Sequence, residues 1–408
     1  MKILKPCAYY EPEFFSSAHL DNDLEEALVN NGIDVCVVTP QPSRGCTEEE
    51  YANFKHKEYK YDGHVSIERF KLMKEGKNVF ERAFRYIYMN IKQYLICLKY
   101  KDIDLIFADS TPPTQGALAV LLKKRLNKPF VYNLQDVFPD SMVNAKMTKK
   151  GSLIWKIGRV IEDFTYRNAD KIIVISDDFK KNIMEKGVPE NKIVVIPNWV
   201  DTNVIYPVVK TNNKLYDEFN IPKDKYIVLY AGNLGNAQGS DIILETADLL
   251  SEYDDTIFVV FGGGSQFEKF KLKAKSRKNL MVFDLLPSER VSEVYSLGDI
   301  ALITCKKGTG MAGMPSKTWS IMACNVPIIA SFDTDSDLAR ILEQADAGIC
   351  VEPENADCLS KAILKQYLNR DTVKCNSREY VLNNVAKKHC VNKVISVFNK
   401  VNIEITKD

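Results

Sequence analysis

Short apolar runs alternate with amphipathic, helix-like stretches along almost the whole chain of 408 residues. In the first half the apolar runs are KILKPC, DVCVVT, VSIERF, DLIFAD, FVYNLQ, KIIVIS and KIVVIP. The second half repeats this arrangement with YIVLYAG, TIFVVFG, LMVFDL, IALITC, PIIAS and GICVEP. Strands that are apolar along their whole length are typical of parallel sheets with helices on both faces. The alternation therefore predicts an α/β fold built from doubly wound parallel sheets.

A chain of this length is too long for a single hydrophobic core of ordinary size. Polar sequence without a clear helix or strand pattern follows Pro207. We therefore expect a Rossmann-like domain over 1–207, a second over 208–385, and a last helix over 386–408 that returns to the first domain. Ligands of such folds bind beyond the carboxyl ends of the strands. The expected site is a cleft across which the two domains face each other.

The composition excludes several classes of protein. A formal net charge of +1 argues against a nucleic-acid partner. The ten cysteines form no CxxC pair, so we expect buried free thiols in a reducing compartment. The four histidines show no metal-ligand spacing, so no metal site is expected. The N-terminus lacks a signal-peptide pattern, and no apolar run is long enough to span a bilayer. We predict a cytoplasmic location, with peripheral contact at the inner face of the membrane as an alternative.

Three glycine-rich loops follow strands of the second half. YAGNLGNAQG contains Gly232, Gly235 and Gly239, FGGGS contains 262–264, and GTGMAGMPSK leads into a helix. Such loops bind phosphates through their backbone N–H groups. A single loop of this kind is equally explained as a tight turn that needs glycine, but three on successive strands favour a nucleotide site. The pattern GxxxxGK[ST] does not occur, which argues against a P-loop ATPase.

The segment MPSKTWSIMA predicts a helix that begins at Pro315, with Ser316 and Lys317 in its first turn. A lysine there is unfavourable, because its charge opposes the positive end of the helix dipole. An anion bound beside Lys317 would explain the choice of residue.

Polar residues also follow strands of the first half. Asp109 and Ser110 follow one strand, while Asp136 and Asp140 follow the next. They predict contacts with a hydroxyl-rich acceptor or with the sugar of a donor, although capping of a helix or turn explains Asp136 and Asp140 as well.

The stretch from about Phe80 to Lys101 predicts a helix with two distinct sides. Its apolar stripe consists of Phe84, Ile87, Ile91, Tyr94 and Leu98. Its other side carries Arg82, Arg85, Tyr88, Lys92 and Lys99. This basic side suits either an anionic membrane surface or plain contact with water.

Several motifs together resemble the retaining GT-B glycosyltransferases of family 4. They are KIVVIPNWVDTNVIYP, VLYAGNLGNAQG, FVVFGGGS, VFDLLPSERVSEVYSLGDIALI, MPSKTWSIMA and PIIAS, which follow in the order of that family. NLQDVFPDS and the AQG variant are similar to the branch that builds bacterial surface polysaccharides, including fucosaminyltransferase-like and colanic-acid-type enzymes. The resemblance covers roughly residues 8 to 370.

The resemblance implies a nucleotide-diphosphate sugar, with UDP as nucleotide, in the C-terminal domain and an acceptor in the N-terminal domain. It implies no cofactor, because protein cations and backbone N–H groups stabilise the departing diphosphate in place of a metal. Asp136 and Lys317 become the candidate catalytic residues, and Ser16, Ser17, Asp109 and Asp136 the acceptor or donor-sugar side. The implied donor-binding residues are Gly232, Asn233, Gln238, Gly239, Gly262, Gly263, Leu286, Pro315, Ser316, Lys317 and Ser320.

The sequence departs from the family pattern at several positions. Asn233 and Gln238 stand where the family has a basic pair, and Ala312 and Ser320 stand where it has two glutamates. The family's Gly-Gly is replaced around Phe15, Ser16 and Ser17, and its N-domain histidine by Asp136. Lys317 is then the remaining candidate cation. A substitute acid is expected among Asp333, Asp335 and Asp337.

The sequence thus predicts a retaining hexosyltransferase that transfers a sugar to a lipid-linked saccharide in capsule, exopolysaccharide or O-antigen synthesis. One alternative is a catalytically inactive partner subunit of another transferase, which the missing glutamates suggest. The other alternative is a nucleotide-sugar epimerase of the same fold.

Overall fold

The computed structural model describes residues 1–13, 18–43, 46–74, 79–144, 148–310, 313–372 and 375–405. Contacts divide the chain into two compact units. Unit 1 comprises Met1–Pro197 and Cys390–Asp408, and unit 2 comprises Asn198–His389.

Unit 1 is built on one eight-stranded sheet. Its strands are β1 (Lys2–Pro6), β2 (Asp34–Pro40), β3 (Lys57–Lys60), β4 (Val65–Phe70), β5 (Leu105–Asp109), β6 (Phe130–Leu134), β7 (Lys171–Val174) and β8 (Ile193–Val195). Their order across the sheet is β3-β4-β2-β1-β5-β6-β7-β8, and every pair is parallel except β3 with β4.

Seven helices lie between these strands. They are α1 (Ala18–Asn30), α2 (Glu48–Ala52), α3 (Val79–Cys97), α4 (Thr114–Leu126), α5 (Asp140–Asn144), α6 (Leu153–Asn168) and α7 (Asp177–Glu185). Helix α4 packs against both α3 and α6. These helices bury apolar strand residues such as Leu4, Ile106 and Tyr132 in one core.

Unit 2 repeats the design with six parallel strands. They are β9 (Tyr226–Asn233), β10 (Thr256–Gly263), β11 (Leu280–Asp284), β12 (Ile300–Thr304), β13 (Ile328–Ser331) and β14 (Gly348–Val351). Their order is β11-β10-β9-β12-β13-β14. The helices are α8 (Leu215–Glu218), α9 (Asp241–Leu249), α10 (Phe267–Ala274), α11 (Val291–Tyr295), α12 (Lys317–Ala323), α13 (Asp337–Gln344), α14 (Ala356–Leu368) and α15 (Ser377–Asn384).

The last helix, α16 (Lys387–Ile405), contributes its residues from Cys390 onward to unit 1. There the ring of Phe398 meets Phe107 of β5 edge to face, with the ring centres 5.0 Å apart. This contact is one of those that tie the end of the chain to the first sheet.

Unit 2 begins at Asn198, ten residues before the start at 208 that the sequence suggested. The reason is local hydrogen bonding. The N–H groups of Tyr206 and Val208 donate to the hydroxyls of Ser292 and Ser296, and Arg378 donates to the carbonyls of Thr202 and Ile205. Residues 198–207, which the sequence assigned to the first domain, are therefore part of unit 2.

The predicted α/β class and all thirteen predicted strands are confirmed. The sequence missed β3, the antiparallel edge strand KEYK. This strand has three charged residues and one tyrosine, so it gives no apolar signal in the sequence. Charge on an edge strand also discourages pairing with another chain.

Candidate active site

The strand order of unit 2 reverses between β9 and β12, because β10 and β11 lie on one side of this pair and β13 and β14 on the other. In doubly wound sheets, ligands bind beyond the carboxyl ends of the strands at such a point. Gly232 and Asn233 end β9 there, and Thr304 ends β12.

Lys317 reaches this point from the start of α12. Its Nζ atom lies 4.0 Å from the centre of the Tyr230 ring, a cation–π distance. A Cβ atom on Gly232 would lie only 2.9 Å from that Nζ atom. Gly232 also has φ +135°, which favours glycine. Glycine at this position therefore leaves room for the lysine amine.

Lys317 is a half-buried cation, and the described residues place no acidic side chain beside it. Within the described part of the chain no carboxylate lies within ion-pair distance of it, and burial alone lowers the pKa of Lys317 to about 7. An ammonium removed from water is unfavourable unless an anion or hydrogen-bond acceptors compensate it. The arrangement can accept an external anion at the end of β9.

The loop after β9 is held by its own polar groups. The side-chain oxygen of Gln238 accepts a hydrogen bond from the Gly235 N–H at 3.0 Å, and the Lys306 N–H donates to the Ala237 carbonyl at 2.9 Å. Gly239 has φ +58°, and a side chain there would meet Lys306. Gln238, which occupies a basic position of the family pattern, thus shapes the loop that follows Asn233.

The glycines that end β10 are explained by packing. A Cβ atom on Gly262 would lie 2.6 Å from Leu234 and 2.9 Å from Phe267, and one on Gly263 would lie 2.9 Å from Leu285. These two glycines let side chains approach the strand closely. They are therefore explained without a bound phosphate.

The remaining donor-side candidates lie near helix and strand ends. Leu286 follows β11 and is half-buried, as are Pro315 and Ser320, while Ser316 is exposed. Helix α12 begins at Lys317 with Ser316 as its N-cap residue, two residues later than the predicted start at Pro315.

The three expected substitute acids have different roles. The carboxylate of Asp333 accepts hydrogen bonds from the N–H groups of Gly308 and Gly310, at 2.9 and 2.8 Å, and so fixes the loop after β12. Asp337 pairs with Arg340, and Asp335 is exposed. Asp333 is therefore engaged by the loop after β12.

In unit 1 the strand order reverses between β1 and β5. Asp109 ends β5 at this point, and its carboxylate accepts a hydrogen bond from the side-chain amide of Asn133 at 2.6 Å. Burial and the nearby Asp21 carboxylate raise the pKa of Asp109 above its usual range, against the opposite effect of Lys5.

Asp136 follows the neighbouring strand β6. The hydroxyl of Ser110 accepts hydrogen bonds from the N–H groups of Gln135 and Asp136, at 2.9 and 3.1 Å, and thereby joins the ends of β5 and β6. Burial raises the pKa of Asp136, and a hydrogen bond from Ser141 opposes that effect. Asp109 and Asp136 thus follow adjacent strands at one edge of the sheet.

Asp140 has a structural role. It begins α5, and its carboxylate pairs with Lys186 at 2.8 Å. Ser16 and Ser17 lie outside the described residues, as do Phe15 and Ala312, so their predicted roles stay predictions.

The prediction that Arg85 belongs to a basic outer side of α3 is wrong. Arg85 is 1% exposed, and its guanidinium donates to the Met73 carbonyl and the Ser43 hydroxyl. The side of α3 that faces the sheet carries Arg85, Met89, Gln93 and Cys97. The side that carries Arg85 and Gln93 is thus buried, and the opposite side of the helix faces outward. Its exposed side chains are apolar, namely Phe84, Ile87, Ile91 and Leu95.

The other predicted cations of α3 remain on its outer part. Arg82 and Lys99 are exposed, and Lys99 pairs with Glu68. Lys92 is half-buried and donates to the Lys71 carbonyl at 2.8 Å, with its Nζ atom 4.9 Å from the centre of the Tyr88 ring.

A cavity of about 330 Å³ lies elsewhere in unit 1, and Lys2, Asp34, His64 and Tyr100 are among its lining residues. It lies by the amino ends of β1, β2 and β4, the opposite edge of the sheet from Asp109. Its main charged groups are paired, Lys2 with Asp102 and His64 with Asp34. We therefore assign the reaction site to the carboxyl edge.

Two features are absent from the part of the chain that the structure describes. No group of three or more histidine, cysteine, aspartate or glutamate side chains is placed to hold a metal ion. None of the helices is both long enough and apolar enough to cross a membrane.

The sequence reasoning missed Tyr230 and Asn133. Tyr230 is 1% exposed, and its hydroxyl donates to the Asn233 carbonyl at 2.8 Å, so it contacts both Lys317 and the loop after β9. The signal was available, because residues two apart in a strand lie on one face. Tyr230 and Gly232 are two residues apart in β9, so both lie on the face of this strand that a ligand-binding lysine would approach.

Comparison with known proteins agrees with these two units. The family model described as Glycosyltransferase Family 4 matches residues 22–204, and the one described as Glycosyl transferases group 1 matches residues 212–388. A relative named as the colanic acid biosynthesis glycosyl transferase WcaI of Escherichia coli (strain K12) is 24% identical over 97% of this chain and 99% of its own.

A second relative is named UDP-Gal:alpha-D-GlcNAc-diphosphoundecaprenol alpha-1,3-galactosyltransferase, from Escherichia coli. It is 22% identical over 74% of this chain and 73% of its own. The crystal structure of Anabaena Alr3699/HepE in complex with UDP superimposes with a TM-score of 0.72 over 98% of this chain and 100% of that one, at 14% identity. The chain is thus a hexosyltransferase-type glycosyltransferase of the GT-B fold, with a family 4 domain followed by a group 1 domain.

Proposed function

We propose that the protein is a retaining transferase which moves a sugar from a UDP-sugar to a lipid-linked saccharide. The product would be a bacterial surface polysaccharide such as a capsule, an exopolysaccharide or an O-antigen. The names of the two relatives support this proposal, because one refers to colanic acid biosynthesis and the other to a diphosphoundecaprenol acceptor. The solved HepE structure with UDP supports the choice of nucleotide.

The observation that carries the proposal is Lys317. It is half-buried at the reversal point of the second sheet, beside Gly232 and over Tyr230, and the described residues offer it no carboxylate. A diphosphate bound there would receive a charge-assisted hydrogen bond from the ammonium. The N–H groups of the loop after β9 would add neutral donors to the same anion.

During transfer, the bond between the anomeric carbon of the sugar and the diphosphate oxygen breaks. A bond from the same carbon to the acceptor oxygen forms on the same face of the sugar, and the hydroxyl proton passes to the departing diphosphate. Negative charge therefore develops on the diphosphate. Lys317 stabilises that charge, which is the role a metal has in other transferases. We accordingly propose that no metal is required, so that chelation with EDTA should leave the rate unchanged.

The acidic edge of unit 1 would bind the sugar or the acceptor. The carboxylates of Asp136 and Asp109 could accept hydrogen bonds from sugar hydroxyls, and their raised pKa values indicate that their charged forms are incompletely compensated within the protein. A lipid-linked acceptor also implies peripheral contact with an anionic membrane, for which Arg82 and Lys92 of α3 and Lys99, which follows α3, are candidate residues.

The proposal is tested by separating donor binding from transfer. UDP, ADP, GDP and CDP are compared by thermal shift, since a ligand raises stability only when it binds the folded protein. UDP-sugars are then incubated with the protein and a membrane extract. We expect UDP to give the largest shift, Lys317→Met to reduce it, and Asp136→Asn to keep it while it lowers transfer by about tenfold.

A second candidate is a partner subunit without transfer activity. Ser320 favours it, because a half-buried serine stands where the family has a glutamate. Binding of UDP-sugars without turnover in any membrane extract would support this alternative. Conversion of the donor without an acceptor would instead indicate an epimerase.

A further inference from the structure

Helix α6 exposes a row of large aliphatic side chains. Leu153, Ile154, Ile157 and Val160 are 73%, 48%, 52% and 69% exposed, and together they form what we call the α6 ridge. The opposite side of the helix buries Gly158, Glu162, Thr165 and Tyr166. Single exposed apolar residues are common on protein surfaces, but a contiguous row on one side of a helix is typical of an interaction site.

The charges around the α6 ridge have one sign. Between residues 148 and 168 the exposed charged side chains are Lys149, Lys150, Lys156 and Arg167. The acids of the same helix are engaged, because Glu162 and Asp163 both pair with Arg159. An apolar row bordered by lysines is the pattern of a helix that lies in a membrane interface.

We propose that the α6 ridge docks on an anionic lipid surface. A second copy of the chain is the less favourable occupant, since two ridges face to face would bring their lysines together. Anionic headgroups would neutralise Lys149, Lys150 and Lys156 while the aliphatic side chains enter the acyl boundary. This inference rests on the proposed function, because it explains how a lipid-linked acceptor reaches the protein.

The buried side of α6 connects the ridge to the acidic edge. A Cβ atom on Gly158 would lie 2.7 Å from Phe138 and 2.9 Å from Pro139, so the helix backbone touches the segment that follows Asp136. Lys186 pairs with both Glu162 of α6 and Asp140, each at 2.8 Å. A docked α6 would therefore hold the Asp136–Asp140 segment close to the lipid surface.

The neighbouring helices also expose apolar side chains. Helix α4, which packs between α3 and α6, exposes Leu121 by 50%. On α3, Phe84, Ile87 and Ile91 are 54% to 60% exposed. We expect α6 to be the main contact, because no ion pair with Lys149, Lys150 or Lys156 is found among the described residues, whereas Lys99, which follows α3, pairs with Glu68.

Vesicle flotation of the full-length protein tests the inference. Vesicles of phosphatidylcholine alone are compared with vesicles that contain about one third phosphatidylglycerol. The test variant is Ile157→Glu with Val160→Glu. The matched control is Leu272→Glu with Leu368→Glu, which also replaces two exposed aliphatic residues but in unit 2. We expect the ridge variant to lose about tenfold in affinity for the anionic vesicles, and the control variant to bind as the unmodified protein does.

Three results would overturn the inference. They are equal binding to both kinds of vesicle, unchanged binding of the ridge variant, and an unmodified dimer that becomes a monomer in the ridge variant without any change in vesicle binding. The melting temperature of each variant, measured without nucleotide, verifies that it is folded. Flotation requires neither donor nor acceptor. Failure of the docking is therefore distinct from failure of the proposed transfer activity.

Discussion

Lys5 of unit 1 is buried and Lys317 of unit 2 is half-buried. Both lie near the reversal point of their sheet, but their surroundings differ. The Nζ atom of Lys5 lies 2.7 Å from Asp21 and 3.8 Å from Glu25. The Nζ atom of Lys317 instead lies over the Tyr230 ring, without a carboxylate among the described residues. Both sheets therefore have a lysine at the same kind of edge. The groups around that lysine decide whether its charge is neutralised within the protein or is available to an external anion.

The comparison predicts that replacing Lys5 affects stability. Lys5→Met would leave Asp21 and Glu25 without their buried cation, although Lys60 also lies 3.5 Å from Glu25. Breaking a buried ion pair by removing one partner costs about 3 kcal/mol or more. We expect the free energy of unfolding in denaturant to fall by about 3 kcal/mol, with little change in UDP affinity when measured where the variant is folded. A fully stable variant would show that the two lysines are equivalent.

Replacing Lys317 should have the opposite pattern. Lys317→Met keeps most of the side-chain volume and removes a charge that burial disfavours, so the protein without nucleotide should be as stable as before or slightly more stable. Turnover should fall by a factor of about 100, because the main cation for the departing diphosphate is lost. Thermal unfolding and turnover with a UDP-sugar measure the two effects.

Lys307→Ala is the matched control for Lys317→Met. Lys307 follows the same strand β12 but is exposed and paired with Glu352. Its replacement should change turnover by less than about twofold, since exposed ion pairs contribute little. Similar losses in both variants would contradict a special role of Lys317.

The difference between the lysines also predicts how UDP affinity depends on pH. Burial lowers the pKa of Lys317 to about 7 in the free protein, so its amine is largely neutral at higher pH. A bound diphosphate favours the ammonium and raises that pKa, so binding takes up a proton above about pH 7. The affinity should therefore fall as pH rises, by up to about tenfold per pH unit, and should level off below about pH 7.

Calorimetry in buffers with different ionisation enthalpies measures this proton uptake directly. Lys317→Met provides the control, because its weaker binding should lose the dependence on buffer at about pH 8. Uptake that persists in this variant would assign the proton to another group.

The contrast between the two lysines also shows what a sequence can reveal. The strands were predictable because apolar runs of strand length are a local signal, and Lys317 was predictable because a lysine at the start of a helix conflicts with the helix dipole. The partners of Lys5 lie on α1, the next helix along the chain, and no local sequence pattern indicates that they contact Lys5. Arg85 was misplaced for the same reason, since its acceptors, the Met73 carbonyl and the Ser43 hydroxyl, come from loops outside α3.

Tyr230 allows the sharpest test of what replaces a carboxylate at Lys317. Its ring lies under the amine, while its hydroxyl donates to the Asn233 carbonyl at 2.8 Å. Tyr230→Phe keeps the ring and loses only the hydrogen bond, so kcat should fall by about threefold. Tyr230→Leu loses both contacts, and kcat should fall by about tenfold. If Tyr230 positions the amine, the leucine variant should also shift the pH at which UDP affinity begins to fall, because the aromatic face no longer stabilises the ammonium. A purely structural role would lower the melting temperature of both variants without moving that pH, and equal kcat values for the two variants would show that the ring contributes nothing to the lysine.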